Sequence, residues 1–178
     1  MKAKTRKTII QISGLVAAVA VVVVASVLFQ NWWNNRPGPE PRDVAIQATI
    51  QDDTTDVFPF SICEPGVECE EAAPTILKLG ADETMKLVLP KHVYDHDWSL
   101  LKIYDDPAAN DEHYFGAYEQ QTVDIKGSAE PVEKNSTTRP QLVVVEVKAV
   151  MIGHDANGVE TPYTTTWSIG FDSPATNP

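Results

Sequence analysis

Three of the chain's four histidines fall in HVYDHDWSLLKIYDDPAANDEHYFG, residues 92 to 116, among a run of carboxylates. His92 and His96 stand four residues apart, with Asp95 and Asp97 beside them. On a helix or a strand that spacing sets two side chains on one face. Imidazole and carboxylate together suit Zn or another transition metal. Two histidines make half a site, because Zn takes three or four protein ligands. Pro90 before the pair and the apolar run from Trp98 after it favour a polar turn leading into a buried strand. Further along, DDPAANDEH, residues 105 to 113, offers the oxygens of Asp105, Asp106, Asn110, Asp111 and Glu112, with His113 next to Glu112 as an acid–base pair. Calcium takes six to eight such oxygens. The ligand spacing of an EF-hand is missing, and Pro107 with Asp and Asn also fits a plain turn. This loop is the candidate recognition or cation site, and His92 with His96 the alternative metal pair. No cofactor is expected; Ca and Zn are the ions these residues would admit.

Other chemistry has little to stand on. No Gly-x-Ser-x-Gly elbow is present, and neither a P-loop nor a Gly-x-Gly-x-x-Gly phosphate cradle. Both cysteines, Cys63 and Cys69, lie in CEPGVEC, where Pro65-Gly66 can turn the chain so that they meet. A structural disulfide is the favoured reading. A redox pair normally reads Cys-x-x-Cys, and a thiolate Zn site needs further ligands close by. DANGVE, residues 155 to 160, resembles the start of a calcium loop but is more economically a hairpin turn. Asn135-Ser136-Thr137 matches a glycosylation acceptor pattern. The balance is against an enzyme, and no catalytic residue is assigned.

The elements that position these residues follow from hydrophobic pattern. Residues 9 to 29 carry no charge, and as a helix they span about 31 Å, the depth of a bilayer's hydrocarbon core. Lys2, Lys4, Arg6 and Lys7 precede them, and Trp32 and Trp33 follow. The positive-inside rule puts this N-terminus in the cytoplasm and the rest outside. A cleaved signal peptide is the rival, but its apolar region is normally shorter. All 25 acidic residues lie after position 36, while ten of the 14 basic ones lie from Arg36 onward, a formal charge of −15 for the outer part. Such a surface repels nucleic acid. Outside the cytoplasm a disulfide persists.

The chain is expected to comprise a basic cytoplasmic tail (1–8), a transmembrane helix (9–29), a Pro-rich linker (30–42), an outer β domain (43–171) and a loose tail (172–178). In the β domain, Val44, Ile46, Ala48 and Ile50 alternate with polar neighbours as a half-buried strand. Further strands are expected at 57–63 (broken by Pro59), 75–79, 84–89, 98–104, 122–126, 142–152 and 161–171. Gly80 to Glu83 reads as a hairpin-like connection, and Asn157-Gly158 as the turn of a terminal hairpin. Val143, Val145, Val147, Ala149 and Met151 would share one inner face, and Tyr163, Thr165, Trp167, Ile169 and Phe171 the next. About eight short strands point to an all-β, immunoglobulin-like sandwich without a cross-sheet disulfide. If 98–104 is extended, its seven residues hold His92 and His96 about 20 Å from the acidic loop.

Taken together, FQNWWNNRPGP, CEPGVEC, DHDWSLLKIYDDPAANDEHYFG, LVVVEVKAVMIG and TPYTTTWSI resemble an uncharacterised membrane-anchored family of corynebacteria and related actinobacteria, a domain of unknown function. Mycobacterial relatives look like exported proteins or lipoproteins; this chain lacks a cysteine positioned for lipidation. The resemblance implies a cell-envelope location and one anchored outer domain, and it carries over no catalytic residues. The expected function is non-catalytic: an accessory or binding module, held to the membrane by its helix, with an envelope protein or glycolipid as partner. The alternative is an anchored metal-dependent enzyme or metal-binding protein using segment 92–113.

Overall fold

A computed structural model describes residues 2–34, 38–134 and 136–172. The centre of the linker, the acceptor Asn135 and the tail from Ser173 onward lie outside the described residues. The chain divides into two units, an N-terminal helix and a β domain. Helix α1 runs Lys2–Asn34. Its stretch Gly14–Trp33 is long and apolar enough to cross a membrane, which suits an anchor or a signal segment. Phe29, Trp32 and Trp33 form a ring cluster with centroids 5.8 to 6.4 Å apart.

Among the described residues the β domain has eleven strands: β1 (Ile46–Ile50), β2 (Asp53–Val57), β3 (Ser61–Cys63), β4 (Glu70–Glu71), β5 (Thr75–Leu77), β6 (Thr84–Val88), β7 (Trp98–Tyr104), β8 (Asp111–Phe115), β9 (Thr122–Lys126), β10 (Leu142–His154) and β11 (Glu160–Phe171). One sheet has the order β2-β1-β6-β9; the other runs β4-β3-β11-β10-β7-β8, with β5 added in parallel to β11. Ile46, Ala48, Met85, Leu87 and Ile125 of the first sheet share one core with Leu100, Val145, Val147, Trp167 and Ile169 of the second. The result is a sandwich, as the alternating pattern predicts. Trp167 is fully buried and donates from Nε1 to the carbonyl of Val44, 2.9 Å away.

The long terminal hairpin forms as expected, with Val145 opposite Ile169 and Val147 opposite Trp167. Val143 departs from its expected face. The pairing with β7 slips between Leu142 and Val144, so Leu142 is buried in its place. Thr75–Leu77 and Thr84–Val88 do not form a hairpin. β5 joins β11 in one sheet and β6 joins β1 and β9 in the other, so Gly80 to Glu83 carries the chain across the sandwich. Burial of Leu79 and close backbone packing hold that crossing: a Cβ on Gly127 would lie 2.1 Å from the Gly80 carbonyl oxygen. Ser128 donates to the carbonyl of Ala81, and Arg139 pairs with Asp82 at 2.8 Å.

The expected strand 57–63 is two strands in different sheets. Pro59 has no N–H for a ladder, so the chain leaves β2 at Val57 and resumes as β3 at Ser61. The edge strands β2, β8 and β9 carry Asp53, Asp56, Asp111, Glu112 and Asp124. Charge on an edge discourages pairing with other chains, so part of the domain's acidity guards its open ladders.

Candidate functional site

The predicted residues separate into folding roles. Pro90 starts a one-turn helix, α2 (Lys91–Tyr94), which seats the buried Val93 against the core and carries His92 on its exposed side. His96 follows the helix and pairs through Nδ1 with Asp95, 2.7 Å away. Asp97 accepts from the backbone N–H of Ala117 at 3.0 Å, tying the entry to β7 to the exit from β8.

The acidic loop divides in two, which corrects the reading of 105 to 113 as a single loop. Asp105 accepts from the N–H of Gln141 at 2.8 Å, Asp106 caps the short 3-10 turn Pro107–Ala109 through the N–H of Ala108, and Asn110 accepts from the N–H of Tyr104 at 2.8 Å. Oxygens that a calcium ion would need are thus engaged in making the turn. The chain then reverses, and Asp111–Phe115 returns along β7 as an edge strand. Aromatic rings at Tyr114 and Phe115 suit a strand better than a loop. Lys102 holds Asp111 at 2.7 Å, His113 sits opposite Leu100, and Phe115 lies opposite Trp98 with its ring stacked 4.2 Å away. His113 packs against Phe115 at 4.5 Å. Glu112 points to the other face with Tyr114 and holds the Tyr114 phenol above its usual range by hydrogen bonding and charge. His113 therefore returns towards the Trp98 end, while Asp105 and Asp106 stay at the far end. Among the described residues no three His, Cys, Asp or Glu side chains gather where they could hold one metal ion.

A different place is concave. Cys63 and Cys69 form a disulfide with Cα atoms 4.7 Å apart, closing a loop of intervening residues. Gly66, at φ 81°, makes the turn, and Val67 donates to the carbonyl of Glu64 at 3.1 Å. Strand β3 ties this loop to β11, with Cys63 opposite Thr164, Ile62 opposite Thr165 and Ser61 opposite Thr166. The loop, the tip of the terminal hairpin and the segment entering the domain surround a cleft of about 630 Å³. Phe60, Val67 and Tyr163 supply apolar wall, and Glu64, Glu68, Glu71 and Arg42 supply charge.

The third wall is held by a latch. Pro41 is buried against Gly153, where a Cβ would come within 2.7 Å of the proline ring. Glu40 Oε1 meets His154 Nδ1 at 2.7 Å, and its second oxygen accepts from the His154 N–H at 3.3 Å. Those bonds hold the Glu40 carboxyl below its usual range. The Tyr163 phenol donates to the carbonyl of His154 at 3.2 Å. Partial burial raises its pKa first, and the charges of Glu64, Asp155 and Glu40 raise it further. Among the charged residues lining the cleft, Glu64, Glu68 and Glu71 outnumber Arg42. The sequence reading missed this cleft. Its walls come from four separated segments, and the signal within reach was the density of glutamates in CEPGVECEE beside two cysteines.

Comparison with curated proteins returned no match. The family model described as protein of unknown function (DUF2771) matches residues 39–172, the whole β domain from the latch through β11. The chain therefore belongs to the DUF2771 family of proteins of unknown function.

Proposed function

We propose that this is a membrane-anchored envelope protein whose outer β domain acts as a non-catalytic binding module, with the cleft between disulfide loop and terminal hairpin as its binding surface. The carrying observation is the cleft itself: about 630 Å³, walled by aromatic and charged side chains, with its most irregular wall pinned by a disulfide. Binding sites are characteristically concave, with mixed apolar walls and a few convergent polar groups. The anchor reading draws support from the apolar stretch Gly14–Trp33 and from the basic residues that precede it in sequence. A disulfide in the β domain suits an oxidising compartment.

The test is a pull-down from solubilised envelope with the full chain as bait, run with three forms. One is wild type, one carries Glu64→Gln, Glu68→Gln and Glu71→Gln in the cleft, and one carries Asp111→Ala, Glu112→Ala and His113→Ala on β8. Capture of a protein or glycolipid that is lost with the cleft variant and kept with the β8 variant supports the proposal. Capture indifferent to the cleft substitutions refutes it.

A further inference from the structure

We propose that the outer face of the sheet built on β10 is the surface on which two copies of this chain pair, face to face and with their β10 strands antiparallel. The two sheets differ in what they turn away from the core. The sheet β2-β1-β6-β9 presents Gln47, Thr49, Thr54, Asp56, Lys86 and Asp124, the polar face of a sheet in water. On the other sheet, β10 alternates out of the core at Val144, Glu146, Lys148, Val150 and Ile152. Register sets Leu101 and Ile103 of β7 and Tyr114 of β8 on the same face. Val150, Ile152 and Tyr114 are 50%, 54% and 72% exposed. A central strand that is apolar on both faces is the pattern of a sheet covered on both sides. Between Tyr114 and Thr164 the face is hollowed into a groove of about 380 Å³, with Ser99, Lys148 and Val150 along it.

The charges on this face name the occupant. Glu146 and Lys148 stand one on each side of Val147, and neither has an ion-pair partner among the described residues. Val147, Leu100, His113 and Trp167 form one row across the strands. A two-fold axis along that row exchanges the positions on its two sides. It lays Glu146 of each copy over Lys148 of the other, and Val144 over Val150. On β7 it exchanges Leu101 with Ser99, so an apolar side chain enters the groove. On β8 it brings the Tyr114 phenol to the second copy's Glu112 carboxylate. An axis along β10 would instead set Glu146 on Glu146 and Lys148 on Lys148, which like charge opposes. Packed sheets stand about 10 Å apart with strands aligned to within about 30°, a gap that a glutamate and a lysine span together. Strands β8, β7, β10 and β11, over the length of residues 144–152, cover roughly 570 Å² per copy and about 1,100 Å² in all, which meets the threshold of about 1,000 Å² for a specific interface.

The experiment is sedimentation equilibrium of the full chain in density-matched detergent, with the fold of each variant checked by circular dichroism. Wild type is expected to dimerise. Glu146→Lys and Lys148→Glu each give the two positions one sign, and each should weaken dimerisation about ten-fold or more. Mixing those two variants should restore it as a heterodimer, because cations on one copy then face carboxylates on the other. The double reversal, Glu146→Lys with Lys148→Glu in one chain, should restore it as well. A variant that merely misfolds restores nothing. Val150→Glu should weaken the dimer, and Lys86→Glu, on the outer face of the other sheet, should leave it unchanged. A monomeric wild type overturns the proposal. So does a dimer indifferent to both Glu146→Lys and Lys148→Glu, which would place self-association on another surface, such as the apolar helix. Loss in the two single variants without recovery in the mixture and the double reversal overturns it too, because the antiparallel pairing predicts both recoveries.

Discussion

Two buried tryptophans in one sheet should respond very differently to the same substitution. Trp167 and Trp98 are 0% and 3% exposed. Trp167 Nε1 bonds the carbonyl of Val44, itself in a buried residue, while Trp98 Nε1 has no partner among the described residues. Replacing either by Phe deletes roughly 40 Å² of buried apolar surface, about 1 kcal/mol. For Trp167→Phe, an orphaned carbonyl adds about 1 to 3 kcal/mol, giving a loss of about 2 to 4 kcal/mol. For Trp98→Phe, removal of an unsatisfied donor offsets the packing loss, since a buried unpaired group costs about 1 to 3 kcal/mol, and Phe keeps a ring against Phe115. The net change should lie between about zero and 2 kcal/mol of stabilisation. At about 3 to 4 °C per kcal/mol for a domain of this size, Trp167→Phe should melt roughly 6 to 16 °C lower and Trp98→Phe at or slightly above wild type. The assay is thermal unfolding of the full chain in detergent, followed by far-ultraviolet circular dichroism. Equal destabilisation by the two variants would refute the reasoning, because it would mean that ring volume, not the hydrogen bond to Val44, sets the cost.

Gly127→Ala should destabilise by about 1 to 3 kcal/mol or more, since the added methyl meets the Gly80 backbone at the crossing between sheets; urea unfolding measures it. Reducing Cys63–Cys69 should cost about 2 kcal/mol by the loop-entropy model, and calorimetry with and without reductant checks this. Asp155 accepts from the N–H groups of Val159 and Asn157 at 2.8 Å, and the Val159 bond chiefly holds its carboxyl below the usual range. A carboxyl depressed on folding contributes stability above its unfolded pKa and loses it as pH falls through the folded one. Wild type should therefore lose melting temperature below about pH 4 more steeply than Asp155→Ala. Glu40→Gln, removing the carboxylate that His154 holds, should flatten the same acid limb. Protease treatment of intact protoplasts should release the β domain; full protection there would refute the assigned orientation.

Much of the sandwich was legible because burial on one face leaves a period of two in the sequence. Residues 46–50, 84–88 and the terminal hairpin show it, Asn157-Gly158 marks the hairpin's turn, and 98–104 reads instead as an apolar run led by Trp98. β2 was not legible: DTTDV lies at an edge, and its apolar signal reduces to the buried Val57. β8 failed for the same reason, since an edge strand can be polar on both faces and still complete a ladder. The histidine and carboxylate segment looked like one site because sequence shows composition before direction. Reversal at Asn110 sends Asp111 to Lys102 and His113 back beside Leu100, and the remaining carboxylates turn the chain.

By itself the sequence determined an apolar span behind basic residues, an acidic β domain and a disulfide within CEPGVEC. Each of these rests on local pattern, on charge or on short chain separation. Tertiary structure alone decided that Thr75–Leu77 and Thr84–Val88 belong to different sheets, and that Arg42, Glu64, Glu71 and Tyr163 line one cleft. Those residues are brought together by sheet register and by Pro41 packing on Gly153, contacts between distant segments that no local periodicity encodes.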